Sequence, residues 1–243
     1  MTLEKSSPSS AMVLAAGLGT RMRPLTDSQP KPLIKVAGKA LIDYTLDRFA
    51  AVGIENAVVN VHYLADLLEA HLAERTTPEI KISDERECLL ETGGGITKAL
   101  PLLGKEPIFC TNTDAILFDD ANNEACRTLI EAWIPKEMDA LLLVTPHSAA
   151  SGYDGAGDFH LKENGHLAWR DGASAPYIFT GLQIIKPSLF HGHKVEPFSL
   201  KSIWEKAHKK GRLYGVVHSG AWMHVGDPEG LEVAEQRIAT LSS

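Results

Sequence analysis

The stretch VLAAGLGTRMRPLT, Val13–Thr26, starts as a buried strand, turns through Gly17 and Gly19, and delivers Arg21 and Arg23 into a loop. A few residues on, PKPL, Pro30–Leu33, holds Lys31 between two prolines. Prolines on both sides restrict the backbone and discourage helix, so the ammonium is presented from a stiff loop. Glycines directly after a strand let backbone amides turn toward an anion, and open α/β sheets bind ligands at that end of their strands. A dinucleotide fingerprint needs a third glycine where Met22 stands and an acidic residue at the end of the second strand, which NAVVNVHY does not offer. The P-loop pattern, ending in Gly-Lys-Ser/Thr, is absent. The glycines alone read equally as a turn with exposed cations. With Arg21, Arg23 and Lys31 added, the loop suits a polyphosphate.

Around that loop, apolar runs alternate with helical segments: AMVLAA, LIDYTLDRFAAVG, NAVVNVHY, LADLLEAHLAER, EIKIS, GITKALPLL, PIFCTNTD, NEACRTLIEAWI and DALLLVTP. Strand, helix, strand, helix is the order of a parallel sheet covered on both faces. After Pro146 the order changes. GDFHLKENGHLAWR carries two short alternating runs around Asn164-Gly165, a hairpin signal, and YIFTGLQIIKP adds a strand. This part is expected to form an antiparallel insertion over the sheet edge. The chain closes with a helix in SLKSIWEKAHKKG, a strand in RLYGVVHS and a helix in DPEGLEVAEQRIATL, with Asp227 as N-cap and Pro228 at the first helical position. The expectation is one α/β domain over residues 11–243 behind a disordered lead, 1–10: a Rossmann-like mixed, mostly parallel sheet with helices on both faces.

A chain of 243 residues with 44% hydrophobic and 23% charged residues can bury a full core without a disulfide or metal. Its formal net charge of -7 argues against a general nucleic-acid binder, which gains affinity from an excess of Lys and Arg. Cys88, Cys110 and Cys126 show no CxxC spacing, fit a reducing cytosol and read as small core residues. The lead MTLEKSSPSS has no apolar core of a signal peptide, and no later run approaches the about 18 apolar residues of a membrane span. A cytoplasmic protein without membrane or nucleic-acid partners is expected; oligomeric state is not legible.

The motifs then carry a resemblance. LAAGLGTRMRPLT followed by PKPL resembles the signature of the sugar-1-phosphate nucleotidylyltransferases. LLETGGGITKALPLL, NTD at a strand end, GDFHL, FTGLQIIKP and AWMHVGDPEGL follow in that family's order along nearly the whole chain. The combination of ETGGGI, ALPLL and GDF looks most like the compact bacterial N-acetylmuramate 1-phosphate uridylyltransferases of peptidoglycan recycling. The resemblance implies the nucleotide-diphospho-sugar transferase fold, a nucleoside triphosphate such as UTP and a sugar 1-phosphate as substrates, and Mg²⁺ as cofactor. Guanylyl transfer to mannose 1-phosphate is the nearest alternative, and a catalytically silent nucleotide-sugar binder is the alternative of another class.

Carried over residue by residue, the resemblance implies that Leu14, Ala15, Ala16 and Gly17 hold the nucleoside and α-phosphate, and Gly19 and Thr20 the rest of the triphosphate. Arg21 would brace the leaving pyrophosphate as a bidentate fork, and Lys31 would bridge the α-phosphate and the sugar phosphate. Thr92, Gly93 and Gly94, read as preceding a helix, would face the base. Asn112, Gly157 and Thr180 match sugar-phosphate positions. Asp114, at the tip of a strand, suits Mg²⁺ held by one or two carboxylates plus substrate phosphates. Two departures stand out. His224 in AWMHVGD occupies the place of a second metal-binding aspartate, leaving Asp227 as the nearest carboxylate, equally readable as an N-cap. The acidic sugar contact expected after the hairpin is missing where the chain reads LAWRDGASAP. His191 and His193 read as surface-loop residues, and Phe198, Trp204 and Trp222 as core or pocket wall.

Overall fold

The structure, a computed structural model, describes residues 7–118 and 124–241. Most of the expected lead, residues 1–6, lies outside the described residues, and the first strand already includes Ser10. In chain order the elements are β1 (Ser10–Leu14), β2 (Lys35–Val36), β3 (Lys39–Ala40), α1 (Leu41–Ala51), β4 (Asn56–Val61), α2 (Ala65–Leu72), β5 (Glu79–Asp84), α3 (Glu91–Leu103), β6 (Ile108–Asn112), β7 (Ala115–Phe118), α4 (Glu124–Ala132), β8 (Ala140–Pro146), β9 (Ala150–Ser151), β10 (Phe159–Leu161), β11 (Leu167–Trp169), β12 (Tyr177–Ile185), α5 (Lys201–Lys209), β13 (Leu213–Val217), β14 (Ala221–His224) and α6 (Pro228–Leu241).

The main sheet runs β11-β10-β12-β6-β1-β4-β5, with β8 on the other side of β12 and β13 beyond it. β6, β1, β4 and β5 are parallel; β1, β4 and β6 are apolar and buried on both faces, as inner parallel strands require, while β5 at the edge is partly exposed. The period of two shows in the packing. Val13, Val59, Phe109 and Leu141 meet Leu46 and Phe49 of α1, Leu68 of α2 and Leu129 of α4. Their neighbours Met12, Val58, Cys110 and Leu142 meet Ile96 and Ala99 of α3 and Ile203 and Ala207 of α5.

The antiparallel part goes deeper than the sequence suggests. The β10–β11 hairpin, with Gly165 at φ 81°, stands at the sheet edge as expected. β12 instead enters the sheet, antiparallel to β6 on one side and to β8 on the other. From Thr180 to Ile185 every residue is buried, on both faces and including the polar Thr180 and Gln183, which an edge cover would not need. A second sheet, β7-β14-β9, was not legible because its strands are short; its buried Ile116 and Met223 pack with Ala234 and Ile238 of α6. Its register sets His224 opposite Ala115, next to Asp114. Cys110 and Cys126 are buried as expected, but Cys88 is exposed, because it sits in the loop before α3 rather than on a packed element.

Candidate active site

A cleft of about 480 Å³ opens at the C-terminal ends of β1, β4 and β6. Leu14, Ala15, Ala16, Gly17, Gly19, Thr20, Arg21, Lys31, Thr92, Asn112 and Asp114 all line it. Four separate stretches of chain thus converge where parallel strands end, the place at which open α/β sheets hold ligands.

The glycine loop is tied from below. Ala15 N–H donates to Asn60 Oδ1 at 2.7 Å, Asn60 Nδ2 donates to Glu85 Oε1 at 2.7 Å, and Leu90 N–H donates to Glu85 Oε2 at 3.0 Å. A fully buried carboxylate therefore joins the loop after β1 to the loop before α3, and Gly95 makes room for it. Sequence reading missed Asn60 and Glu85; the only signal was a pair of polar residues at the ends of apolar strands. Gly19 has φ 62°, and a Cβ there would meet Thr26 Cγ2 at 2.9 Å and Lys31 Cβ at 3.0 Å. Gly19→Ala is expected to cost about 1–2 kcal/mol in stability through the left-handed backbone and to displace Lys31. Urea unfolding combined with turnover checks it: an unchanged midpoint and rate would mean that the loop relaxes freely.

Lys31 begins a single 3-10 turn, Lys31–Leu33, so the stiff loop between the flanking prolines takes the form of one tight turn. Its Nζ lies 3.3 Å from Asp114 Oδ2. On the other side of the same oxygen, His224 Nε2 stands at 3.8 Å, while His224 Nδ1 faces Gly152 O at 3.3 Å. Burial pushes the Asp114 carboxyl up, but His224 and the Lys31 charge outweigh it and hold the carboxyl well below the usual carboxylate range. The carboxylate is therefore ionised throughout the neutral range. Arg21 is exposed at the mouth of the cleft and makes no ion pair among the described residues.

The other expected residues are placed differently. Gly93 and Gly94 do not precede α3 but form its first turn, and they do not line the cleft; both amides donate to Phe198 O, at 2.9 and 3.3 Å. A side chain on either would collide with the Phe198 ring or the Glu196 carbonyl, so these glycines admit the 196–198 segment. Thr92 does line the cleft while its Oγ1 accepts from Leu200 N–H at 2.8 Å, and Glu91 beside it takes φ 56°, unusual for a non-glycine residue, and also faces the cleft. Thr180 is buried and donates to Leu143 O at 2.9 Å, a core role. Gly157 lies outside this cleft and lines a neighbouring cavity. Asp227 Oδ1 accepts from Gly230 N–H at 2.9 Å, so this carboxylate caps α6, as its place before Pro228 foretold, and does not reach the cleft. Trp222 is buried behind His224, its ring stacked at 5.9 Å between centroids.

Among the described residues no group of three or more His, Cys, Asp or Glu could hold a metal ion by itself. Asp114 and Glu91 are the carboxylates that line the cleft among the described residues, and Asp114 is the one that lies beside Lys31. This donor set suits a hard cation shared with substrate phosphates and does not suit a dedicated protein cage.

The comparisons agree with this geometry. A family model described as nucleotidyl transferase matches residues 10–157, which include both cleft-forming loops and Asp114. An N-acetylmuramate alpha-1-phosphate uridylyltransferase of Caulobacter vibrioides is 48% identical over 96% of this chain and 98% of its own length. One of Neisseria meningitidis is 35% identical over 89% of this chain and 92% of its own length. Among solved structures, a UDP-glucose pyrophosphorylase complexed with UDP-glucose shares the fold, with TM-score 0.78 and 17% identity over 96% of this chain and 99% of that chain. With a glycine loop, two cations and an aspartate gathered at the strand ends of such a fold, and relatives matching nearly end to end, this chain belongs to the nucleotidyl transferase family.

Proposed function

We propose that this chain transfers a uridylyl group from UTP to N-acetylmuramate 1-phosphate, releasing pyrophosphate. The observation that carries the chemistry is the meeting of Lys31 and Asp114, 3.3 Å apart, at the mouth of a glycine loop with Arg21 beside it. The choice of base and sugar rests on the near full-length relatives named for that activity. A cytoplasmic role in reusing cell-wall sugars is part of the same reading, consistent with three cysteines that form no disulfide and with no described helix long and apolar enough to cross a membrane.

A sugar phosphate oxygen is already nucleophilic at neutral pH, so attack on the α-phosphorus needs no general base and no covalent intermediate. The barrier is charge crowding between two anions that must meet in line. Amides of the loop after β1 hold the triphosphate, with Ala15 held in place by Asn60. Lys31 neutralises the α-phosphate and the incoming phosphate together, and Arg21 braces the leaving pyrophosphate. Asp114 would hold Mg²⁺, which supplies further neutralisation of phosphate charge when bound. The test is pyrophosphate release from the purified protein with four nucleoside triphosphates against a panel of sugar 1-phosphates. Highest kcat/KM with UTP and N-acetylmuramate 1-phosphate is expected; a clear preference for another pair overturns the assignment.

Arg21→Lys is expected to lower kcat/KM about tenfold or more although it keeps the charge, because a point ammonium cannot form the planar fork. Wild-type kinetics in that variant would reduce Arg21 to a solvated surface charge.

A further inference from the structure

Beside the cleft lies a second cavity of about 340 Å³, which contains Gly157 and the end of the β10–β11 hairpin. The two cavities are lined by residues close together in the chain. Ser199 lines the first and Lys201 the second, and Gly181 of β12 faces Asn112 in the first while Phe179, two residues away, lines the second. A sugar whose 1-phosphate sits at Lys31 therefore has this cavity next to it.

Its walls are aromatic and fixed. Phe159 packs on Trp169 with ring centroids 4.8 Å apart and Phe179 on Trp204 at 4.9 Å, while Trp204 Nε1 donates to Gln183 Oε1 at 2.8 Å. Such surfaces suit the C–H faces of a sugar. Its charge is concentrated in Arg170 and Lys201. Arg170 is placed by its own N–H on Asp158 O at 3.0 Å, and its guanidinium donates to the Gly172 carbonyl at 3.3 Å. Lys201 Nζ lies 5.1 Å from the centre of the Trp169 ring. Neither makes an ion pair among the described residues, whereas Lys31, Lys39, Arg75, Arg86, Lys186 and Arg212 all do. The acids of the cavity do not cancel them. Asp158 Oδ2 accepts from Phe179 N–H at 2.9 Å, and Glu205, one turn along α5 from Lys201, pairs with neither cation.

Two unpaired cations beside an aromatic wall call for an anion on an apolar body. The phosphates of both substrates are already matched by Arg21, Lys31 and the glycine loop. N-acetylmuramate differs from N-acetylglucosamine by a lactyl ether that ends in a carboxylate, and Arg presents a planar fork to that group. Arg170 also stands in LAWRDGASAP, the stretch in which the expected acidic sugar contact is missing, with a charge of opposite sign. We propose that this second cavity reads the sugar's carboxylate, with Arg170 as the fork and Lys201 as the second cation, and so sets the preference for an acidic sugar. The inference rests on the functional reading above.

The experiment compares kcat/KM for pyrophosphate release with UTP and either N-acetylmuramate 1-phosphate or N-acetylglucosamine 1-phosphate, in the wild type, Arg170→Ala, Lys201→Ala and Arg170→Lys. Wild type should favour the acidic sugar, and each alanine variant should cut that preference about tenfold, through KM, as expected for one charged hydrogen bond in an exposed setting. Arg170→Lys should recover only part of it. Both side chains are exposed, so the melting temperature should not move. A wild type that favours the acidic sugar, with alanine variants that keep its full preference, overturns the carboxylate site and leaves the functional reading standing. A wild type that favours N-acetylglucosamine 1-phosphate overturns both.

Discussion

Replacing Lys31 with alanine lowers kcat/KM for pyrophosphate release by about two to three orders of magnitude, the usual cost of one strong electrostatic donor to a developing transition state. The size follows from its placement. The side chain is only 12% exposed, it is delivered by a tight turn that starts after Pro30, and its ammonium lies beside the carboxylate that marks the cleft mouth. An amine so placed cannot swing into solvent, so its charge acts at low effective dielectric on two phosphates at once. Folding depends little on it. The Lys31–Leu33 turn is closed by backbone bonds, Leu33 N–H to Pro30 O at 2.9 Å and Ile34 N–H to Lys31 O at 3.0 Å, which alanine retains. A kcat/KM within about threefold of the wild type, with the protein folded and the best substrate pair in hand, would place the phosphate site elsewhere.

How much of this was legible in the sequence depends on whether a residue acts through its own loop or through a distant partner. Gly19, Arg21 and Lys31 announce themselves because turn chemistry is local: glycine where φ is positive, prolines around a cation, all directly after an apolar strand. Asp114 was legible for the same reason, standing just past the end of β6. Gly93 and Gly94 are ambiguous because a small residue signals only that something comes close. The close neighbour is the 196–198 segment, about a hundred positions away, and nothing near the glycines distinguishes it from a base. The same limit hid Asn60 and Glu85, whose bonds to Ala15 and Leu90 exist only once β1, β4 and α3 are stacked. Strand β12 was found, but its place in the middle of the sheet was not, because an apolar run tells burial and not neighbours.

Asp114→Asn is expected to lower metal-dependent turnover by about three orders of magnitude or more, since the amide keeps the shape but loses the charge that recruits the cation. Among the described residues no second carboxylate stands beside it: Asp227 caps α6, and the residue next to Asp114 is His224. Imidazole is a poor ligand for Mg²⁺ and a better one for softer ions, so the wild type should bind Mg²⁺ weakly without nucleotide, and Mn²⁺ should support turnover at least as well. His224→Asp separates charge from position. It sets a second carboxylate against Asp114, whose oxygen now lies 3.8 Å from the imidazole nitrogen, and like charges at that range repel unless a cation lies between them. The variant should therefore melt below the wild type without divalent ions and regain part of the difference as Mg²⁺ is added, at concentrations that leave the wild type unmoved. Calorimetric titration of Mg²⁺ and Mn²⁺, with and without UTP, gives a readout independent of turnover. Full activity in Asp114→Asn together with a Mg²⁺-independent melting temperature in His224→Asp would remove the metal from this end of the cleft and leave Asp114 as the residue that holds Lys31 in place.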